Sequence, residues 1–171
     1  MITDQEVVGS NPTGCTRIMK VYKLKFKQII HEPLDEVFSF FSKPENLALI
    51  TPKKLNFKIL TPTPIKMKEG QLIDYTIEIF KKEIKWRTII TEYEYPEKFI
   101  DQQLKGPYSM WHHTHTFYNH GDYIEMIDEV SYAVPFNIIG QIVNFLFIKK
   151  ELIGIFEYRK QIINEYFKEN K

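Results

Sequence analysis

The chain has 171 residues, 43% of them hydrophobic and 26% charged, which is enough for one domain with a sizeable core and too little for a comfortable second one. Its 23 basic and 22 acidic side chains leave a formal charge of +1. That excludes the positive excess that neutralises a phosphate backbone, so no nucleic-acid partner is expected.

No apolar run reaches the ~18 residues that cross a bilayer. The longest, 138–148, contains Gly140, Gln141 and Asn144 and stops at Lys149-Lys150, so no stable membrane insertion is expected. A single cysteine, Cys15, excludes an intramolecular disulfide and a cysteine-rich zinc cluster, and a reducing cytoplasm is the expected compartment. Thirteen Phe and ten Tyr in a nearly neutral chain point to a large apolar interior or a cavity.

Residues 1–18 read unlike the rest. They carry Gly9, Ser10, Asn11, Pro12 and Gly14 and no aromatic residue. The string Gly9-Ser10-Asn11-Pro12-Thr13 is what the TΨC arm of a tRNA gene gives in translation. The segment is expected to be a disordered or artefactual leader, with the domain spanning 19–171 from a true start at Met19.

Over 21–29, Tyr22, Leu24 and Phe26 alternate with Lys23, Lys25 and Lys27, the pattern of a half-buried strand whose lysines guard an edge. Pro33 then suits the first turn of a helix with Val37, Phe38, Phe40 and Phe41 on its apolar face. Ser42 and Glu45 fit a capping box for a second short helix, 44–50, stopped by Thr51-Pro52. Period-two patterning over 55–60, 72–80, 84–93, 98–104, 109–118 and 123–134 predicts six more strands. The short turn-rich breaks between them favour an antiparallel meander. From Pro135 the period returns to 3.6, with a break expected near 147–149 because one helix to Lys171 would be unusually long. The pattern predicts an α+β fold: a seven-stranded curved sheet, two short helices after its first strand, and a long C-terminal helix over its apolar face.

Three strings carry a family resemblance. Pro33-Leu34-Asp35-Glu36-Val37-Phe38-Ser39-Phe40-Phe41 runs on through Pro44-Glu45-Asn46-Leu47. Phe99-Ile100-Asp101-Gln102-Gln103 is followed by Gly106-Pro107-Tyr108 and Trp111-His112-His113-Thr114-His115-Thr116-Phe117. Asp128-Glu129-Val130-Ser131-Tyr132 precedes Phe156-Glu157-Tyr158-Arg159. Together they resemble the Bet v 1-like, START-related helix-grip (SRPBCC) superfamily, and more narrowly its bacterial polyketide cyclase/dehydrase and lipid-transport branch, some of whose members carry a cell division inhibitor label. The resemblance implies a helix-grip domain with a small hydrophobic ligand between sheet and helix. It does not choose among carriers, receptors and cyclases.

The most informative strand is 111–117. Alternation places Trp111, His113, His115 and Phe117 on one face and the more hydrophilic His112, Thr114, Thr116 and Tyr118 on the other. Two imidazoles then point into an aromatic interior, and three readings stay open. They orient a ligand carbonyl or carboxylate, they are core histidines satisfied by Asp128 or Tyr132, or they ligate a metal with His31 or Asp128 as third donor. The same alternation turns Asp128, Val130, Tyr132 and Val134 inward, and a carboxylate behind an imidazole is what general acid–base catalysis requires.

Tyr75, Ile77 and Ile79 share a face in one strand, and Trp86, Thr88, Ile90 and Glu92 share one in the next, with Arg87 outward. The ligand-binding set is therefore Tyr75, Trp86, Trp111, His113, His115, Asp128 and Tyr132. His113 and Asp128 are the catalytic pair if the protein is an enzyme. No cofactor and no metal are expected, since no phosphate-cradling or dinucleotide motif occurs. The partner is a small hydrophobic molecule, and the oligomeric state stays open. A filled-pocket interaction module is the third possibility, and 138–148 is a candidate lid or membrane-touching element.

Overall fold

Period-two patterning over most of the chain builds an eight-stranded antiparallel sheet in the computed structural model, which describes residues 4–9, 17–135 and 137–169. The strands are β1 (Asp4–Gly9), β2 (Arg17–Ile30), β3 (Lys58–Ile59), β4 (Leu72–Ile79), β5 (Lys82–Glu94), β6 (Lys98–Lys105), β7 (Met110–Asn119) and β8 (Ile124–Ala133), in the spatial order β1-β2-β8-β7-β6-β5-β4-β3. The seven strands expected from the sequence are all present. An eighth is added at the edge, because Asp4–Gly9 in the leader pairs with the start of β2 from Tyr22 back to Arg17. Residues 1–3 and 10–16 of that leader lie outside the described residues. Among the described residues β2 is an edge beyond Tyr22, and its lysines form cross-strand ion pairs, Lys25 with Glu129 at 3.1 Å and Lys27 with Glu125 at 2.8 Å.

Helix α1 (Leu34–Phe41) buries Val37, Phe38, Phe40 and Phe41. The fully buried Phe38 ring meets Tyr93, Tyr95, Phe99 and Phe117 at centroid distances of 5.2–5.8 Å, a burial that stabilises by about 1.5–3 kcal/mol. A 3-10 turn (Pro44–Asn46) and the one-turn α2 (Leu47–Ile50) follow. The expected capping box does not form. Ser42 closes α1, its N–H donating to the Phe38 carbonyl at 2.8 Å, and Glu45 accepts from the Ile65 N–H at 2.9 Å, pinning a distant loop.

The C-terminal helix also differs from expectation, because it does not break near 147–149. Helix α3 (Asn137–Val143) passes through a π-helical turn (Asn144–Ile148) directly into α4 (Lys149–Glu169). The wider turn absorbs the change of face that a break would otherwise supply. It buries Asn144, whose Oδ1 accepts from the Tyr132 hydroxyl at 2.9 Å. Helix α4 lies on the sheet through Leu152, Phe156, Arg159 and Ile163. Phe156 stacks on Phe26 at 4.2 Å, and Gln28 of β2 donates to the Lys160 carbonyl and the Asn164 side chain.

Between sheet and helix the core divides. One apolar cluster gathers around Phe38, Phe99 and Phe117, another around Trp86, Trp111, Tyr132 and Phe156. Among the described residues no helix is long and apolar enough to cross a membrane.

Candidate functional site

A cavity of about 630 Å³ opens between α4 and the sheet. Its walls are largely apolar: Ile73, Ile77 and Ile90 from the sheet, Leu47 and Ile50 from α2, Leu152, Ile155 and Phe156 from α4. Asp101, His113, His115 and Arg159 reach the wall with Thr88 and Tyr75, while Lys54, Glu78 and Glu151 are further charged residues of the lining.

The register of three adjacent strands assembles the histidine region. It sets Asp101 of β6 opposite His113 of β7, and His115 of β7 opposite Asp128 of β8. The two imidazoles of β7 thus lie between one carboxylate on each neighbouring strand, within side-chain reach both directly and diagonally. The hydrogen bonds run along the diagonals. His113 Nε2 donates to Asp128 Oδ1 at 2.9 Å, and His115 Nε2 donates to Asp101 Oδ2 at 3.1 Å. The other ring nitrogens face the opposite carboxylates: His113 Nδ1 stands 3.3 Å from Asp101 Oδ2, and His115 Nδ1 stands 2.8 Å from Asp128 Oδ1 without the alignment of a hydrogen bond. The imidazole centroids are 3.8 Å apart. Arg159 adds a guanidinium from α4, with Nη2 3.6 Å from Asp128 Oδ1 and its plane near the rings of Phe41 and Phe156.

The protonation states follow from this mutual pairing. Burial works against both carboxylates, yet each is held well below the usual range. For Asp128 the Arg159 charge, the hydrogen bond from His113 and the close His115 ring outweigh burial. For Asp101 the charge of the neighbouring His113 and the hydrogen bond from His115 do so. Burial likewise opposes a charged His113, and the charge of nearby Asp101 with the hydrogen bond to Asp128 overcomes it, raising the imidazole. The Arg159 guanidinium and the raised His113 imidazole thus stand beside the two carboxylates, the kind of pairing that lets charges be kept out of water.

The structure brings most of the sequence-derived site set together. Tyr75, Trp86, Trp111, His113 and His115 line the cavity. Asp128 and Tyr132 lie behind that wall, the first bonded to His113 and the second to Asn144. Glu92 leaves the face it shares by strict alternation with Trp86, Thr88 and Ile90. A bulge between Ile90 and Glu92 turns Tyr93 toward Phe38 instead and pairs Glu92 with Lys98, since one extra residue swaps the faces beyond it. Arg87 faces outward and holds Asp74 through two hydrogen bonds of 2.7 and 2.9 Å.

His31, offered as a third metal donor, is exposed, with Nδ1 3.1 Å from the Asp122 carbonyl oxygen. The residue that joins the two histidines in that role is Asp101, and the three present donor atoms within 4.8 Å of one another. Two imidazoles and a carboxylate suit a divalent ion. The same atoms already engage one another, with the Arg159 guanidinium 3.6 Å from Asp128.

Asp101 and Arg159 are the site residues that sequence reasoning did not single out. Both signals exist: Asp101 shares the face of buried Phe99 at spacing two, and Arg159 falls on the buried stripe Leu152, Phe156, Ile163. Two buried donors on the cavity wall, Trp86 Nε1 and Arg159 Nε, have no hydrogen-bond partner.

Strand order, the short helices after the first long strand and the gripping C-terminal helix define the Bet v 1-like helix-grip fold. No protein-family model and no curated protein matches the chain. Solved structures do. TTHA0849 from Thermus thermophilus superposes with a TM-score of 0.65 at 11% identity, covering 84% of this chain and 98% of that one. Protein Ms6760 from Mycobacterium smegmatis gives 0.62 at 11% identity over 100% of both chains. The ginseng major latex-like protein 151 from Panax ginseng gives 0.61 at 11% identity, over 86% of this chain and 97% of that one. At such identities the likeness is one of fold, and this chain shares the helix-grip architecture of all three.

Proposed function

We propose that the protein binds a small hydrophobic molecule, of lipid, polyketide or isoprenoid type, between the sheet and α4. The observation that carries this is the largely apolar 630 Å³ cavity with His113, His115 and Arg159 buried on its wall beside Asp101. That volume falls within the 300–1,000 Å³ or so of small-molecule sites, in which a few polar groups fix orientation. Removing apolar ligand surface from water supplies about 25 cal/mol per Å². His113, His115 and Arg159 would meet the ligand's polar end, and the unpartnered Trp86 Nε1 offers it a further donor.

Titration with the fluorescent probe anilinonaphthalene sulfonate tests the reading. Saturable enhancement by the folded protein, competed by a long-chain fatty acid, supports it. Absence of enhancement contradicts it.

A second reading, a cyclase or dehydratase, draws support from one feature: His113 stands on the cavity wall with carboxylates on both sides. Its raised imidazole favours the protonated form, the form that serves as a general acid. His113→Ala separates the two. Weakened binding alone favours the carrier, and lost turnover with intact binding favours the enzyme. An interaction module with a filled pocket draws no support from a cavity of this size.

A further inference from the structure

Large apolar side chains face solvent at the mouth of the cavity and in the turn beside it. Phe80 is 91% exposed, Phe145 80%, Phe147 58% and Leu146 52%. Phe80 and Phe147 both border the opening, so the β4–β5 hairpin tip and the π-helical turn flank one portal. These are not scattered surface residues of the kind every protein shows. They lie at consecutive positions of one turn and across the mouth from it.

Phe80 is held there against local preference. It and Lys81 form a two-residue hairpin turn with φ of +50° and +61°. That conformation favours Asn-Gly, and a bulky aromatic side chain in it is rare. A chain that needed only a turn at this point gains nothing from phenylalanine.

The same rim is basic. Lys81 and Lys82 follow Phe80, Lys149 and Lys150 follow the π-turn, and Lys54 borders the mouth with Lys53 beside it in the segment after α2. Glu78, Glu83 and Glu151 are the acidic residues among them, which leaves the rim net positive while the whole chain is almost neutral. Aromatic side chains ringed by lysines complement an anionic bilayer, with rings at the acyl boundary and ammonium groups among the headgroups.

We propose that this rim docks reversibly on anionic lipid membranes and brings the cavity mouth against the bilayer. Docking rests on the exposed rim and not on what fills the cavity, so it stands or falls separately from the ligand reading.

The test is flotation of the full chain with vesicles of phosphatidylcholine, with and without about 30% phosphatidylglycerol. Expected is binding to the anionic vesicles, weakened at least about tenfold by added salt or by Lys149→Glu with Lys150→Glu. Phe80→Asn suits the left-handed turn better than phenylalanine, so it keeps or raises the melting temperature while reducing vesicle binding; Phe145→Ser adds to that loss. Failure of the wild-type chain to float, or equal flotation of Phe80→Asn with Phe145→Ser, overturns the proposal. So does sedimentation as a dimer that Phe145→Ser dissolves, which would assign the rim to a second copy of the chain.

Discussion

His113 Nε2 donates to Asp128 Oδ1 across a diagonal of the sheet, at 2.9 Å, although the register sets Asp128 opposite His115 and His113 opposite Val130. This diagonal, with its counterpart from His115 to Asp101, makes four residues one electrostatic unit. Removing a member leaves the others buried with unbalanced charge. Asp128→Asn is expected to cost about 3–5 kcal/mol in denaturant unfolding, the range for breaking a buried pair from one side. Asp101→Asn is expected to cost less, because the Asp101 side chain is 19% exposed against 10% for Asp128, and it is Asp128 that Arg159 meets. The reverse order would contradict this assignment.

Stability depends on pH in a direction set by the same unit. His113 is raised in the folded state. Its contribution is therefore complete below the unfolded value of about 6.5 and is lost as pH rises through the folded value. Asp101 and Asp128 are lowered. Their contribution is present above about pH 4 and is lost as pH falls through the folded values. The groups facing His113 are Asp101 from β6, His115 beside it, Asp128 from β8 and Arg159 from α4. The melting temperature is expected to be highest between about pH 4 and 6.5 and to decline toward alkaline pH. His113→Asn should flatten the alkaline limb, and a wild-type melting temperature that climbs above pH 7 would contradict the account.

Filling the cavity separates an open pocket from a relaxed core. Ile77 lines the wall from β4, and Ile77→Trp directs an indole into the space. The variant is expected to stay folded by circular dichroism, at a cost below about 3 kcal/mol, while probe binding falls at least about tenfold. Unchanged binding would place the probe elsewhere.

Gly140 marks a close approach of α3 to the chain before it. A Cβ there would lie 1.9 Å from the Pro135 carbonyl oxygen, a backbone atom that cannot swing away. Gly140→Ala is therefore expected to destabilise by about 1–3 kcal/mol, although the same change inside an unobstructed helix stabilises by up to about 1 kcal/mol. Thermal unfolding decides the sign.

The fold is legible in the sequence because period-two alternation survives intact where the sheet is regular. In β7 and β8 it faces His113, His115 and Asp128 inward, as the structure has them. Parity fails at Glu92, where the bulge after Ile90 adds a residue that hydrophobicity does not mark. The helix break near 147–149 is expected from length alone; a π-turn keeps the backbone helical and changes only the face presented. Asp101 and Arg159 are hidden for a shared reason. A charged residue in a strand or helix reads as surface until a partner is visible, and their partners lie on other elements of the sheet and helix. The diagonal pairing itself belongs to register, which no single strand encodes.

The central claim is that the space between the sheet and α4 holds a hydrophobic molecule. Its most direct test is a native mass spectrum of the purified protein set beside a denatured one. The account predicts an added mass of a few hundred daltons, of the size a 630 Å³ cavity admits, that disappears on denaturation and is absent from Ile77→Trp. Identical native and denatured masses, with no added mass after incubation with a long-chain fatty acid, would contradict it.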